Sequence, residues 1–551
     1  MIEHHTSSRR MQALAGGAAL AIVFSLAPSA AARPSPRIDL QPIGTYETGQ
    51  FDESAAEIVA HDPTTQRVFV VNAEKGAVDV LSITDPTNPA LDGTLFATGG
   101  DVNSVAVREG LLAVAVEAPI AQDPGSVEIY DTATLGLVAS VAVGALPDML
   151  TFTPDGSKIV VANEGEPDNY CDAGAGDPEG SISIIDISEG VENVNQDDVA
   201  TAGFTRFNAR ADALREAGVR IFGPNATVAQ DLEPEYIAVD ARSKTAWVSL
   251  QENNAFAIVD LDDAVVTDIV PLGFKDHDAA GYGIDASNRD DAIDVANWPV
   301  HGMYMPDAID AYRYENRTYV VSANEGDARD YDCYSEEARI GDLDLDTGIF
   351  PDFEYLQAEE NLGRLNTTTS FDTIGFDLDG DEYVPLTEPA TELYSYGARS
   401  FSIWDSSGRL VFDSGDDFER ITAAAIPDDF NSNNDENDSF DSRSDDKGPE
   451  PEGIEIARVY SKTYAFIGLE RVGGIMVYDI TNPRKPHFVV YVNNRDFTGD
   501  AEGGTAGDLG PEGLVYIAPG DSPNGMPLLI VGNEVSGTTT IFQIDGPGNP
   551  R

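Results

Sequence analysis

The sequence predicts an all-β chain folded as a seven-bladed β-propeller with loop insertions on one face. First, a two-strand unit recurs seven times, and each copy ends its second apolar run with a glutamate. Second, most copies lead into a Gly-rich turn and a third apolar strand, as in Gly180-Ser-Ile-Ser-Ile-Ile and Gly474-Ile-Met-Val-Tyr. Third, Glu74 and Glu117 stand 43 residues apart, and Glu117 and Glu164 stand 47 apart. Strand-rich repeats of about 40–50 residues mark propeller blades. The alternative, a β-sandwich with coincidental acids, does not explain so regular a recurrence.

The clearest unit starts at Asp441-Ser-Arg-Ser-Asp-Asp-Lys447-Gly-Pro-Glu450-Pro-Glu452-Gly and ends at Ala465-Phe-Ile-Gly-Leu-Glu470. Two short apolar runs separated by a turn read as a hairpin. An antiparallel hairpin brings its start and finish to the same end, so Glu450 and Glu452 share a rim with Glu470. The same logic pairs Asp148 with Glu164, Glu235 with Glu252, Asp307 with Glu325, and Glu512 with Glu534. Fainter copies run from Glu57 to Glu74 and from Asn103 to Glu117. Residues 38–50 are expected to supply a strand closing the ring against the last blade. Insertions are expected at about 191–225, 263–304, 329–392 and 428–447, within one domain over 33–551.

The chain has 551 residues, with 96 acids against 33 bases and a formal net charge of −63. Such a field repels nucleic acid and anionic membranes. Arg9-Arg10, the apolar run Leu14 to Leu26 and Ala30-Ala31-Ala32 read as a secretory signal cleaved near Ala32. No later stretch is apolar enough to span a bilayer, so a secreted monomer, extracellular or periplasmic, is expected. The two cysteines, Cys171 and Cys333, follow matching Asn-Glu-Gly segments in two units. An exported chain with cysteines in equivalent loops suggests a disulfide.

Carboxylates crowded on one rim repel one another unless protonated or neutralised by cations. Hard oxygen donors select calcium or magnesium, and six His with two Cys at unsuitable spacings argue against zinc. The expected metal ligands are Asp148, Glu164, Glu235, Glu252, Asp307, Glu325, Glu452, Glu470, Glu512 and Glu534, with calcium as the ion. Each Glu could instead cap a strand-end turn. Asp377, Asp379 and Asp381 form a second, calcium-loop-like run that lacks the full twelve-residue pattern, and Asp342-Leu-Asp-Leu-Asp is a weaker one. Bases are scarce, so Arg399, Arg443 and Lys447 inside the acidic motifs stand out, with Arg329 and Arg471 beside them. With His277 or His301 to move protons, they could hold a phosphate between metal ions and guanidinium groups. Pairing with neighbouring carboxylates is their other reading. No nucleophile elbow or phosphate loop is legible.

Phe274-Lys-Asp-His, Asn297-Trp-Pro-Val, Gly397-Ala-Arg-Ser-Phe-Ser-Ile-Trp, the 441–453 motif and Gly532-Asn-Glu-Val-Ser-Gly-Thr carry a resemblance. In these segments the mature chain resembles the bacterial choice-of-anchor I family. The resemblance implies a secreted propeller-like protein. The same domain occurs in proteins named as atypical alkaline phosphatases, which implies a metal-dependent phosphoesterase acting on a small phosphorylated substrate. The alternative is a non-catalytic propeller that binds an extracellular ligand or protein.

Overall fold

The computed structural model describes residues 38–170, 176–331, 333–370 and 389–546. The chain is all-β. Among the described residues seven four-stranded antiparallel sheets follow one another, six of them laid down strand by strand in sequence order. Their first strands are Val59–Asp62, Val102–Arg108, Pro147–Phe152, Ile237–Val239, Ile309–Tyr314, Pro451–Val459 and Pro511–Ile517. Each first strand lies against the first strand of the next sheet, and the seventh returns to the first. The ring is closed by Asp39–Glu47, which pairs antiparallel with Thr538–Asp545 as the outer strand of the seventh sheet. This is the closing strand expected at 38–50.

Burial explains the strand sequences. Second strands are sandwiched between adjacent sheets and read as nearly continuous apolar runs. Val68 to Asn72 and Ile159 to Asn163 are buried throughout. Outer strands are more exposed, and polar residues or glycines interrupt their apolar runs. That difference corrects two expected boundaries. Val199–Gly203, inside the insertion expected at 191–225, is the outer strand of the third sheet. Val265–Pro271, inside the connection expected at 263–304, is the outer strand of the fourth.

The remaining insertions build an accessory layer. Phe274–Asp276, His301–Met303 and Tyr394–Ser395 form a three-stranded sheet. Ile284, Trp298, Ile340 and Leu365 pack into a separate small core. The Lys275 Nζ donates to the carbonyls of Ala398 (2.8 Å) and Gly415 (2.7 Å) and meets Asp413 at 3.1 Å, tying this layer to the fifth sheet. Asp346 Oδ1 accepts from the Gly348 N–H, so the 342–346 acidic run is anchored as a turn. The segments of the expected signal peptide, of Cys171 and of Asp377, Asp379 and Asp381 lie outside the described residues. No cysteine is free among the described ones. No helix among the described residues is long and apolar enough to cross a membrane.

Candidate functional site: an acidic channel mouth

Two local devices aim the carboxylates. The first is a β-bulge at the start of the first strands. Pairing slips between Val102 and Ser104, Pro147 and Leu150, Pro451 and Ile454, and Pro511 and Leu514. The slipped stretches carry Asn103, Asp148, Glu452 and Glu512. A bulge inserts one unpaired residue and re-aims its side chain. The residues before the prolines, Leu146, Met305 and Glu450, adopt positive φ of 46°, 40° and 49°. Such conformations cost about 1–3 kcal/mol each and persist where surrounding structure enforces them.

The second device ends the second strands. Asn163 is buried and donates through Nδ2 to Ser181 O (3.1 Å), Ser181 Oγ (3.2 Å) and Ser183 Oγ (3.0 Å). Asn324 does the same to Ser400 and Ser402, and Asn533 to Thr538. The Asn turns inward and pins the strand end to the third strand. The following Glu164, Glu325 or Glu534 is left for the mouth. In the first sheet the residue after Asn72 is Ala73, so Glu74 is displaced by one position and is exposed. The expectation that all seven terminal glutamates share the mouth therefore fails at Glu74.

The expected ligands of the third to seventh sheets converge. Oxygens of Glu164, Glu235 and Glu252 lie within 4.8 Å of one another, as do those of Asp307, Glu325 and Glu452, and those of Glu325, Glu450 and Glu470. Glu57, Asn103, Asp148, Asp307 and Glu512 line a cavity of about 260 Å³ within the ring of first strands. A second cavity of about 210 Å³ lies further along the same strands, with Glu455 on its wall. Tyr236, Ile58 and Met149 border both cavities. The strands approach so closely that a Cβ on Gly453 would stand 1.7 Å from the Glu512 carbonyl oxygen.

Crowding shows in the acidities. Burial, with Glu534 next, pushes the Glu57 carboxyl up to about 8. Burial and then Glu252 raise Asp148 to about 7. Burial dominates again at Glu534, which is raised to about 7. Glu164, Glu235, Asp307, Glu452, Glu470 and Glu512 are raised well above the ordinary carboxyl range by burial and by one another.

The bases occupy one sector. Lys447 Nζ meets Glu325 at 2.8 Å and Glu450 at 3.2 Å. Arg443 meets Glu450 and Asp446, each at 2.7 Å, and Arg471 meets Glu450 at 3.0 Å and Glu470 at 3.1 Å. Burial would raise the Glu450 carboxyl, but Lys447, Arg443 and Arg471 together hold it well below the usual range. Arg399 is placed differently. It is 3% exposed, and its guanidinium donates to Glu419 (2.6 Å) and to the carbonyls of Asp285, Ser444 and Asp446. It therefore braces the loop that delivers Lys447 and Glu450. Arg329 is likewise buried, against Asp231 (2.6 Å) and Glu233 (2.5 Å). His301 belongs to the accessory sheet, its ring 5.5 Å from that of Tyr394. His277 Nδ1 is 2.7 Å from the Tyr282 carbonyl oxygen, and burial keeps this ring far below its ordinary pKa.

Sequence reasoning placed Glu450 on the rim but did not single out Glu57, Asp310, Glu455 or Tyr236 as site residues. Asp310 and Glu455 stand three residues after Asp307 and Glu452. A regular strand would turn Glu455 away from Glu452, but the residue bulged between Pro451 and Ile454 restores it to the same side. Burial, then Asp307, Glu455, Asp310 and Glu512, raise the Tyr236 hydroxyl, which places that side chain among carboxylates of both levels. The bulge, signalled by Pro-Glu-Gly in Pro451-Glu-Gly and Pro511-Glu-Gly, was the available clue.

The ring of sheets and the carboxylates at its opening define a β-propeller with an acidic mouth. The chain belongs to the choice-of-anchor I domain family, whose model matches residues 57–483. It is similar to Gigasin-3a of Magallana gigas, 34% identical over 170 residues, covering 29% of this chain and 60% of that protein. It is also similar to a mesenchyme-specific cell surface glycoprotein of Strongylocentrotus purpuratus, 28% identical over 325 residues, covering 51% of this chain and 40% of that one. The chain thus spans less than two thirds of either relative's length. Among solved structures, hydrazine synthase of Kuenenia stuttgartiensis matches with TM-score 0.44 and 12% identity, over 90% of this chain and 99% of that one. A Myceliophteria thermophila β-propeller domain matches with TM-score 0.42 and 8% identity, over 92% and 100%.

Proposed function

We propose that this protein is a secreted seven-bladed β-propeller that binds divalent cations, calcium first, at its acidic mouth. Bound there, the cations shape a surface for an extracellular ligand or protein. The observation that carries this reading is the convergence of three carboxylate triads, each compact enough to share one ion. Oxygens within 4.8 Å of one another match calcium–oxygen distances of about 2.3–2.6 Å on either side of an ion. Supporting the extracellular setting, one relative bears the name of a cell surface glycoprotein. The Cys171–Cys333 disulfide belongs to this proposal: Tyr170, next to Cys171, packs edge-on against Tyr331 (5.1 Å) and Tyr334 (5.0 Å), which flank Cys333.

A second reading, a metal-dependent phosphoesterase, is favoured by the Lys447 and Arg471 charges beside Glu325, Glu450 and Glu470. It needs a phosphate to displace carboxylates that already hold those bases, so it ranks second. One experiment separates the two. Bound calcium and turnover of p-nitrophenyl and bis-p-nitrophenyl phosphate are measured on the same purified sample, with calcium present or chelated. Retained calcium without turnover is expected. Turnover that vanishes on chelation would establish the second reading, and a preparation that takes up no divalent ion would remove the first.

A further inference from the structure

We infer that the Glu164–Glu235–Glu252 triad is the primary calcium seat of the mouth, set apart from the sector around Lys447. The inference rests on the cation-binding reading above and deepens it by assigning the ligands.

The two sectors differ in what already neutralises them. Around Glu325, Glu450 and Glu470, three bases are in contact: Lys447 at 2.8 Å from Glu325, Arg443 at 2.7 Å from Glu450 and Arg471 at 3.1 Å from Glu470. The protein supplies its own cations there. Around Glu164, Glu235 and Glu252 the neighbouring bases are engaged by other carboxylates: Arg329 by Asp231 and Glu233, and Arg220, which donates to the Glu252 backbone carbonyl (2.6 Å), by Glu336. Asp148 and Glu166 add further negative charge on the same side.

The second observation is independent of the clustering. Glu235 and Glu252 are each 9% exposed, and the Oε2 atom of each is buried with no hydrogen-bond partner among the described residues. A buried, unpartnered carboxylate oxygen carries a large desolvation cost, so it signals a missing partner. These two oxygens belong to residues whose ligand atoms, with that of Glu164, lie within 4.8 Å of one another. An ion seated among them would satisfy all three groups at once. The donor chemistry is that of a hard cation. Three carboxylates on three separate strand ends, with no fixed octahedral frame, suit calcium better than magnesium.

The frame is rigid. Glu164 follows Asn163, which is pinned by three hydrogen bonds, and Glu235 and Glu252 flank the fourth sheet's central hairpin. The Glu235 N–H donates to the Ser249 carbonyl (3.1 Å), tying Glu235 to the strand that ends before Glu252.

The test is calorimetric titration of calcium into the full chain after chelator treatment, with circular dichroism as a check on folding. The wild type is expected to show a tightest site that weakens at least tenfold in the near-isosteric Glu235→Gln/Glu252→Gln variant. Glu164→Gln alone serves if the double variant misfolds, and is expected to weaken the same site. The Asp307→Asn/Glu452→Gln variant is expected to keep it. If calcium binds the wild type and the Glu235/Glu252 and Glu164 variants alike, this assignment is overturned while the cation reading stands. If it is the Asp307/Glu452 variant that loses the tightest site, the seat belongs to the other sector. If the wild type takes up no calcium at any site, the cation reading itself falls.

Discussion

At the scale of single residues, Lys447 is the pivot of the basic sector. Its ammonium is buried, which works against its charge, yet Glu325 and then Glu450 raise its pKa well above the ordinary lysine value. Removing one partner from a buried ionic group leaves the other charge uncompensated, at roughly 3–5 kcal/mol. Lys447→Met should therefore destabilise the fold by about that much in urea denaturation, unless added calcium replaces the lost charge. A calcium-dependent rescue larger than in the wild type is the expected result, and unchanged stability would contradict the assigned role. The sequence singled out Lys447 and Arg443 because bases are rare in so acidic a chain. It could not separate them from Arg399, because the same Arg-rich motif language serves a base at the mouth and a base buried behind it. Only the carbonyls of Asp285, Ser444 and Asp446, brought in from two loops, reveal Arg399 as a brace.

At the scale of elements, the first strands do two jobs: they close the ring and turn carboxylates inward through their bulges. Gly453 is the tightest point, where a side chain would meet the neighbouring strand's backbone. Gly453→Ala should force the sixth and seventh sheets apart and cost about 1–3 kcal/mol, the usual penalty of overpacking. Chemical denaturation checks it, and a neutral substitution would mean that the strands are not as close as described. The hairpins were legible because second strands are buried on both faces and so read as uninterrupted apolar runs. The outer strands were not: Val199–Gly203 and Val265–Pro271 are partly exposed, and their short apolar runs are broken by Thr201 and by Thr267 and Asp268. The displaced Glu74 was equally hidden, since a shift of one residue after Asn72 leaves the local composition unchanged.

At the scale of the whole molecule, a ring architecture converts a weak local pattern into a concentrated charge. No single hairpin gathers more than a few acids, but closure by Asp39–Glu47 brings six sheets' carboxylates to one opening. That concentration gives stability a pH dependence of defined sign. A carboxyl raised in the folded state contributes stability that is complete below its unfolded pKa of about 4 and is lost as pH rises through the folded value. For the mouth that loss runs up to about 7 at Asp148 and Glu534 and about 8 at Glu57. Glu450 works the other way: its depressed pKa gives stability above about 4 that is lost as the solution is acidified below it. Between pH 5 and 8 the raised groups dominate, so the ion-free protein should lose stability across that range. A divalent cation binds the ionised form and should reverse the loss. The decisive measurement is the melting temperature from pH 5 to 8 with chelator and with calcium. The account predicts a fall in chelator, little fall in calcium, and a calcium increment that grows with pH. A calcium increment that is absent, or equal at pH 5 and pH 8, would contradict it.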